Sequence, residues 1–412
     1  MPVSFAAAVW KDPGMPASPS TARAINDRLA LRHLQQDGPL TATQLKTLTG
    51  LSRPTVADLV ERLQGAGLVR VVGEAGAERR GPNARLYGIV SDRAHLAALD
   101  VRTGSLAVVV ADLLGETLAE ATLPIGDETA TDDAVEQAVA LLERTARRAG
   151  TAPLHSVGIG APGLIDPVTG ELRDTTGLPA WHRTLVRALQ QRLPATVLVE
   201  NETNLAAVAE HRAGAARDHD TFVLMWLGHG VGAAVMLDGK LRRGASGGAG
   251  EIGFMPVPGT VGTPSAVNCD GGFHSLVGSA SLCELAAAHG IGAPAGGREP
   301  GSAAAVRSAL AGEGDSEAFL DALADRLALG ASSVVSVLDP GCVLLSGEVG
   351  LAGGDALAAR VEERLAMMSP LRTEVRAGLL GGTAVLRGAL LAAREAAQDA
   401  LFMPDRSSPS GV

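Results

Sequence analysis

Seven side chains near the N-terminus share one chemistry before any fold is assigned. Ser52, Arg53, Thr55 and Arg62 lie in LSRPTVADLVERLQGAGLV, and Arg79, Arg80 and Arg85 lie in the Gly/Arg-rich stretch that follows. An arginine guanidinium is a planar fork of donors that fits a phosphate or a guanine edge, and Ser or Thr hydroxyls bond phosphates and bases alike. The charge balance agrees. Between Thr21 and Val90 there are ten Lys/Arg against six Asp/Glu, a net of +4, whereas the rest of the chain carries 25 against 39, a net of −14. A small basic segment joined to a large acidic body fits nucleic-acid contact at one end and another task beyond.

Three helical stretches must position these side chains. Gly38-Pro39 stops the first, which carries Ile25, Leu29 and Leu34 on one side. Thr41 or Thr43 can cap the second, which turns Leu45 and Leu48 inward and ends at Gly50. Ser52 caps the third, with Pro54 tolerated in a first turn whose N–H groups lack helical partners anyway. Val56, Leu59, Val60 and Leu63 then recur at i, i+3, i+4 and i+7, leaving Arg53, Thr55, Asp58 and Arg62 on the opposite face. Two short helices around a Gly turn predict a helix-turn-helix whose second helix enters the major groove. The next residues, LVRVVGEAGAERRGPNARLYGIV, predict two β-runs around a tip, a wing that reaches phosphates or a narrow minor groove. The competing reading is a solvated three-helix bundle whose hairpin docks on the body. Charge, spacing and wing together favour DNA.

The remainder reads as α/β. HLAALDV, SLAVVVADL, ETLAEATL, HSVGIGAPG, TVLVEN, FVLMWLG, VGAAVMLDG and CVLLSG are short apolar runs separated by turns, glycine-rich segments or helical stretches such as Asp132–Arg148. That alternation over some 300 residues predicts more than one sheet. No internal repeat of fixed period is visible. Hydrophobic residues at 46% suffice for sizeable cores, and no apolar run approaches the ~18 residues of a membrane span. The first residues lack the basic n-region of a signal peptide. Three sparse cysteines, Cys269, Cys283 and Cys342, exclude a disulfide framework and favour a cytoplasmic setting.

Taken together the chain resembles the ROK family of sugar kinases and sugar-responsive repressors, on its winged-helix branch, from about Thr21 to Ala400. The carriers are LSRPTVADLVERLQGAGLV, GIGAPGLIDPVTGEL, LPAW, ENETNLAAVAE, GHGVG and GGAGEIGF, in that order. The resemblance implies a winged helix-turn-helix over 21–90 followed by a two-lobed actin-like ATPase (ribonuclease H-like) body. Lobe 1 would take 91–200 together with a C-terminal helix at 383–399, and lobe 2 would take 201–382. Residues 1–20 and 402–412 would be a flexible arm and tail.

Departures from the family's kinase pattern carry the functional expectation. The phosphate turn D-x-G-G-T becomes Asp100-Val101-Arg102-Thr103-Gly104-Ser105, so both close-approach glycines are replaced and Arg102 stands where phosphate would lie. The glycine-rich turn at Gly228, Gly230 and Gly232 is better kept, though a plain β-turn also explains it. The base motif E-N-D-x-N becomes Glu200-Asn201-Glu202-Thr203-Asn204, which moves the carboxylate outward by one methylene. In the family's zinc signature the ligand positions become Phe254, Ser265, Val267 and Gly272, with Cys269 on a spacer, so no zinc and no cofactor are expected. The family's sugar-bonding positions become Asn201, Glu202, Glu251, Phe254 and His274. Three of these have a structural alternative: Asn201 as a helix cap, Glu251 in a surface pair, His274 as a packing residue.

The expectation is therefore a DNA-binding regulator, a repressor without catalytic residues, whose body senses a carbohydrate-related effector. Its expected partners are an inverted-repeat operator in double-stranded DNA, a sugar or sugar derivative, and a second copy of the chain in a homodimer or dimer of dimers, with no membrane. The alternative is a sugar kinase that still phosphorylates a hexose with ATP.

Overall fold

A computed structural model describes residues 19–75, 84–126, 128–151, 153–173, 179–265, 271–293 and 299–402. The head begins with α1 (Pro19–Gln36), β1 (Leu40–Thr41), α2 (Ala42–Thr49) and α3 (Arg53–Gly65). Each helix boundary has a local cause. The Thr41 hydroxyl accepts from the Gln44 N–H at 3.2 Å while the Gln44 carboxamide accepts from the Thr41 N–H at 2.9 Å, a reciprocal capping box. Gly50, at φ 69°, closes α2 in a left-handed conformation that glycine adopts without steric cost. Ser52 caps α3 by accepting from the Thr55 N–H at 3.3 Å.

β2 (Val69–Ala75) and β3 (Ala84–Ile89) form the expected hairpin, and β1 adds to its other edge in the order β1-β3-β2. This is a winged helix-turn-helix. The tip that carries Arg79, Arg80 and Gly81-Pro82 lies outside the described residues.

The body opens with the antiparallel meander β4 (His95–Arg102), β5 (Ser105–Asp112) and β6 (Thr117–Pro124). α4 (Thr131–Arg148), β7 (Ser156–Ala161), α5 (Ala180–Arg192) and β8 (Thr196–Asn201) follow, and the sheet runs β6-β5-β4-β7-β8 with β4, β7 and β8 parallel. After α6 (Glu202–Ala213) the chain makes a second sheet from β9 (Phe222–Leu227), β10 (Val231–Leu237) and β11 (Lys240–Arg242). Four helices come next: α7 (His274–Val277), α8 (Ser279–Ala288), α9 (Gly301–Leu310) and α10 (Ser316–Leu338). β12 (Cys342–Ser346), α11 (Gly347–Met368) and β13 (Glu374–Ala377) complete that sheet in the order β11-β10-β9-β12-β13. α12 (Ala384–Phe402) ends the described chain.

The two body sheets have one topology twice, which the sequence does not display as a repeat. Topology asks only for apolar strands in a given order, and the segment from 243 to 341 between β11 and β12 has no counterpart of similar length in the first lobe. Periodicity is lost while the architecture persists.

α12 leaves the second lobe and lies against both. A side chain at Gly158 of β7 would run into the Ala389 carbonyl, and one at Gly388 would run into the Leu205 carbonyl of α6, so backbone meets backbone along this seam. The Ser156 hydroxyl donates to the Ala393 carbonyl at 2.7 Å. At its far end Ala393, Ala397 and Phe402 join the head's own core of Leu31, Leu34, Leu59 and Leu63, and Arg28 of α1 pairs with Asp399. The head is thus seated on the helix that joins the lobes. Among the described residues no helix is long and apolar enough to cross a membrane.

Candidate nucleic-acid interface and interlobe cleft

On the head, Arg53 is exposed at the start of α3 and Arg85 is exposed on β3. Neither has a partner among the described residues, so both guanidinium forks are open to solvent. Thr55 is half-buried and its hydroxyl shares a 2.7 Å hydrogen bond with Ser52. Ser52 is therefore first a cap, and its hydroxyl is engaged within the helix start rather than projecting from it. Arg62 departs further from expectation. Its guanidinium donates to Asp27 of α1 at 2.6 Å and also pairs with Asp58, so it braces α1 against α3 and is not a free phosphate ligand. Spacing placed Arg62 on the polar face correctly, but Asp27, 35 residues upstream, was invisible to a helical pattern.

The second site is the cleft between the lobes. Asp100 is 3% exposed near the end of β4, where burial raises its carboxyl above the ordinary value. Its Oδ2 accepts from the Arg102 Nε at 2.8 Å, and its Oδ1 has no partner. Arg102 continues across the cleft, donating through Nη1 to the Glu348 Oε1 at 2.7 Å. Glu348 stands in the first turn of α11, where a carboxylate suits the helix dipole. Its other oxygen lies over the glycine turn between β9 and β10, 2.7 Å from where a Cβ on Gly228 would be. The two turns that would embrace phosphates in this fold are thus occupied by a guanidinium and a carboxylate.

Glu348 was missed at the sequence level. The signal was present: it follows Ser346-Gly347 at the C-terminal end of a buried strand, where open α/β sheets gather their functional groups.

Asn201 caps α6, its Oδ1 accepting from the Thr203 and Asn204 N–H groups at 2.9 and 3.3 Å. Its amide donates to the Gly163 carbonyl at 3.1 Å and to the Glu202 Oε2 at 2.9 Å. All its hydrogen-bonding capacity is engaged, so it positions Glu202 rather than offering free groups to a ligand. Glu202 faces the cleft acids. Burial pushes its carboxyl up to about 8, helped by the charges of Asp100 and Glu251 and opposed by its own backbone N–H and by Arg102. Glu200, the motif's first acid, joins elements instead: it accepts from the Asn204 amide at 2.9 Å and from Arg243, beyond β11, at 2.5 Å.

Glu251 keeps an exposed edge on the cleft, though the surrounding wall raises its carboxyl through desolvation. Phe254 is half-buried in the short 3-10 turn that follows it. His274, half-buried at the start of α7, packs beside Gly253 and lays its ring against Gly278, where burial lowers its pKa. Phe254 and Glu251 are thus joined by one turn, and His274 abuts that turn. Glu202 and Glu251 are close enough to sense each other's charge.

The zinc positions do not fit a metal. Phe254 and Gly272 carry no donor, and any side chain at 272 would collide with the Gly253 carbonyl and meet the Phe254 Cα at 3.1 Å. Val267 and Cys269 lie outside the described residues.

Comparison with known proteins gives the same two parts. The ROK family model matches residues 96–396, and a MarR family model matches residues 25–80. The xylose repressor of Caldicellulosiruptor bescii is 26% identical over 240 residues, covering 57% of this chain and 59% of that repressor. The chain therefore spans about three-fifths of that relative's length. The crystal structure of a ROK family transcriptional regulator, a homologue of the Escherichia coli MLC protein, superposes with a TM-score of 0.72 at 21% identity, over 92% of this chain and 98% of that one. A ROK hexokinase from Thermus thermophilus superposes with a TM-score of 0.59 at 26% identity, over 74% of this chain and 99% of the hexokinase.

Proposed function

The chain belongs to the ROK family, and from that premise we propose that it is a DNA-binding transcriptional regulator, a repressor, whose body senses a carbohydrate-related molecule and does not phosphorylate it. The observation that carries this is the pairing of a winged head with a cleft whose phosphate turns are held by Arg102 and Glu348. Arg53, Thr55 and Arg85, with Arg79 and Arg80 of the wing tip, contact operator DNA. Glu202, Glu251, Phe254 and His274 face the effector, and Asn201 orients Glu202.

One wing-bearing head buries too little surface for tight operator binding, so the regulator acts as a homodimer or dimer of dimers on an inverted repeat, in the cytoplasm. The sugar-kinase reading has one feature in its favour, a carboxyl at Glu202 that burial pushes up to about 8. Arg102 and Glu348 weigh against it, because a nucleotide's phosphates would have to displace both. The test is twofold. DNA recovered from genomic fragments by the purified protein should converge on one inverted repeat. The same preparation should consume no ATP with hexoses, pentoses or amino sugars, and sugar-dependent turnover would replace this reading with the kinase one.

A further inference from the structure

A cavity of about 560 Å3 lies where the head meets the body, bounded by α1, β7, β8, α6 and α12. Its volume falls in the range of small-molecule sites. Five arginines line it, Arg28, Arg32, Arg212, Arg243 and Arg394, and their charges are not evenly balanced. Arg28 is paired with Asp399 and Arg243 with Glu200. Asp166, also in the wall, is taken by Arg173 at 2.7 Å. Arg32 and Arg212 have neither an ion pair nor a hydrogen bond among the described residues. Arg394 is half-buried and donates only to the Leu114 carbonyl, at 2.9 Å. Glu395 alone is left to offset these three.

We propose that this cavity is a second small-molecule site, which takes a phosphate-bearing ligand on Arg32, Arg212 and Arg394 with the uncharged part of the ligand against Ile159, Leu205 and Ala392. Guanidinium forks bind phosphate oxygens bidentately, and Arg394, the half-buried one of the three, is stabilised by an anion that supplies a counter-charge. The electrostatics agree with the geometry: burial lowers the Arg394 pKa and the charge of Arg212 lowers it further. The cavity is separate from the cleft that holds Glu202 and Glu251, because none of the effector-facing residues lines it. Its walls come from α1 of the head and from α6 and α12 of the body, so a ligand there ties the reading head to the body directly.

The probe is inorganic pyrophosphate, titrated by calorimetry and by thermal shift against the full chain, with sulfate and an uncharged sugar as comparisons. Saturable pyrophosphate binding is expected in the parent, weakened about tenfold or more by Arg32→Gln and again by Arg212→Gln. Both positions are exposed, so these variants should keep the parent's unfolding transition. Glu251→Gln should leave pyrophosphate binding unchanged, which separates this site from the cleft. Arg53→Ala should also leave it unchanged, which separates it from the DNA-reading surface. Pyrophosphate that binds the parent and the Arg32→Gln, Arg212→Gln double variant equally would overturn the proposal, as would the absence of saturable binding.

Discussion

Arg102 and Glu348 meet at 2.7 Å across the interlobe cleft, and this ion pair, together with the 2.8 Å contact from Arg102 to Asp100, ties the first sheet to the first turn of α11. The tie is partly shielded from water, since the Arg102 side chain is 33% exposed and that of Asp100 only 4%. Removing the cation should leave Asp100 buried without a counter-charge. Arg102→Met is therefore expected to cost about 3–5 kcal/mol in urea unfolding. Adding Asp100→Asn should recover a large part of that cost, because the stranded charge is then gone. If the two substitutions prove additive, Arg102 does not act through Asp100.

Two buried groups should give the stability curve opposing slopes. The folded-state pKa of Glu202 is raised, so its contribution is fully present below its ordinary value of 4.5 and is lost as pH rises through about 8. His182 of α5, 1% exposed and pushed down by burial to about 4, works the other way: its contribution is present above 6.5 and lost as pH falls through 4. Glu202→Gln should accordingly flatten the decline in melting temperature between pH 5 and pH 8 (roughly the window those values define) and leave the acid limb unchanged. A parallel shift of the whole curve would mean that Glu202 does not titrate in this window.

If Arg53 reads bases and Arg85 holds phosphate, the two substitutions should separate. Arg53→Ala should weaken operator binding by about 1–3 kcal/mol and relax specificity at one base pair. Arg85→Ala should weaken all sequences alike and reduce the salt slope by about one. Arg62→Ala should instead lower thermal stability with little change in base preference, because its partners are Asp27 and Asp58. Loss of specificity in the Arg62 variant would restore it to the interface.

Glu251→Gln should blunt the response of operator affinity to the effector while leaving effector-free affinity nearly intact. The coupling cannot exceed the effector's differential affinity for the two states, typically about 1–3 kcal/mol. Operator titrations with and without ligand, for parent and variant, decide it, and an unchanged ligand response would remove Glu251 from the site.

The helix ends of the head were legible in the sequence, because their signals are local: Thr41, Gly50 and Ser52 act within a few positions of the ends they define, whereas Leu48, expected to turn inward, is 44% exposed. The same locality explains what escaped. Arg62 finds Asp27 from another helix, and Arg102 finds Glu348 over a separation of 246 residues, which no spacing rule could anticipate. For Arg102 the departure from the glycine turn identified the position but not its partner. In the cleft, the sequence placed Asn201 next to a helix start, but that capping absorbs its side chain depends on how β8 delivers it to α6. The basic cavity is invisible at the sequence level because Arg32, Arg212 and Arg394 come from three distant helices, α1, α6 and α12.

The glycine seam has a mechanical consequence. Where Gly158 and Gly388 bring backbone against backbone, no side chain is available to flex and absorb a displacement, so α12 must follow whatever the strands and α6 do. From Gly388 to Phe402 the helix runs about 21 Å at 1.5 Å per residue. It is a lever with its fulcrum at the seam and its load, the winged head, at the free end. A tilt of about 5° at the fulcrum carries Phe402 sideways by about 2 Å over that arm. In a symmetric dimer both arms swing, and the distance between the two heads changes by up to twice that amount. An adjustment too small to be noticed at the cleft thus becomes a mismatch that a DNA helix of fixed pitch would register.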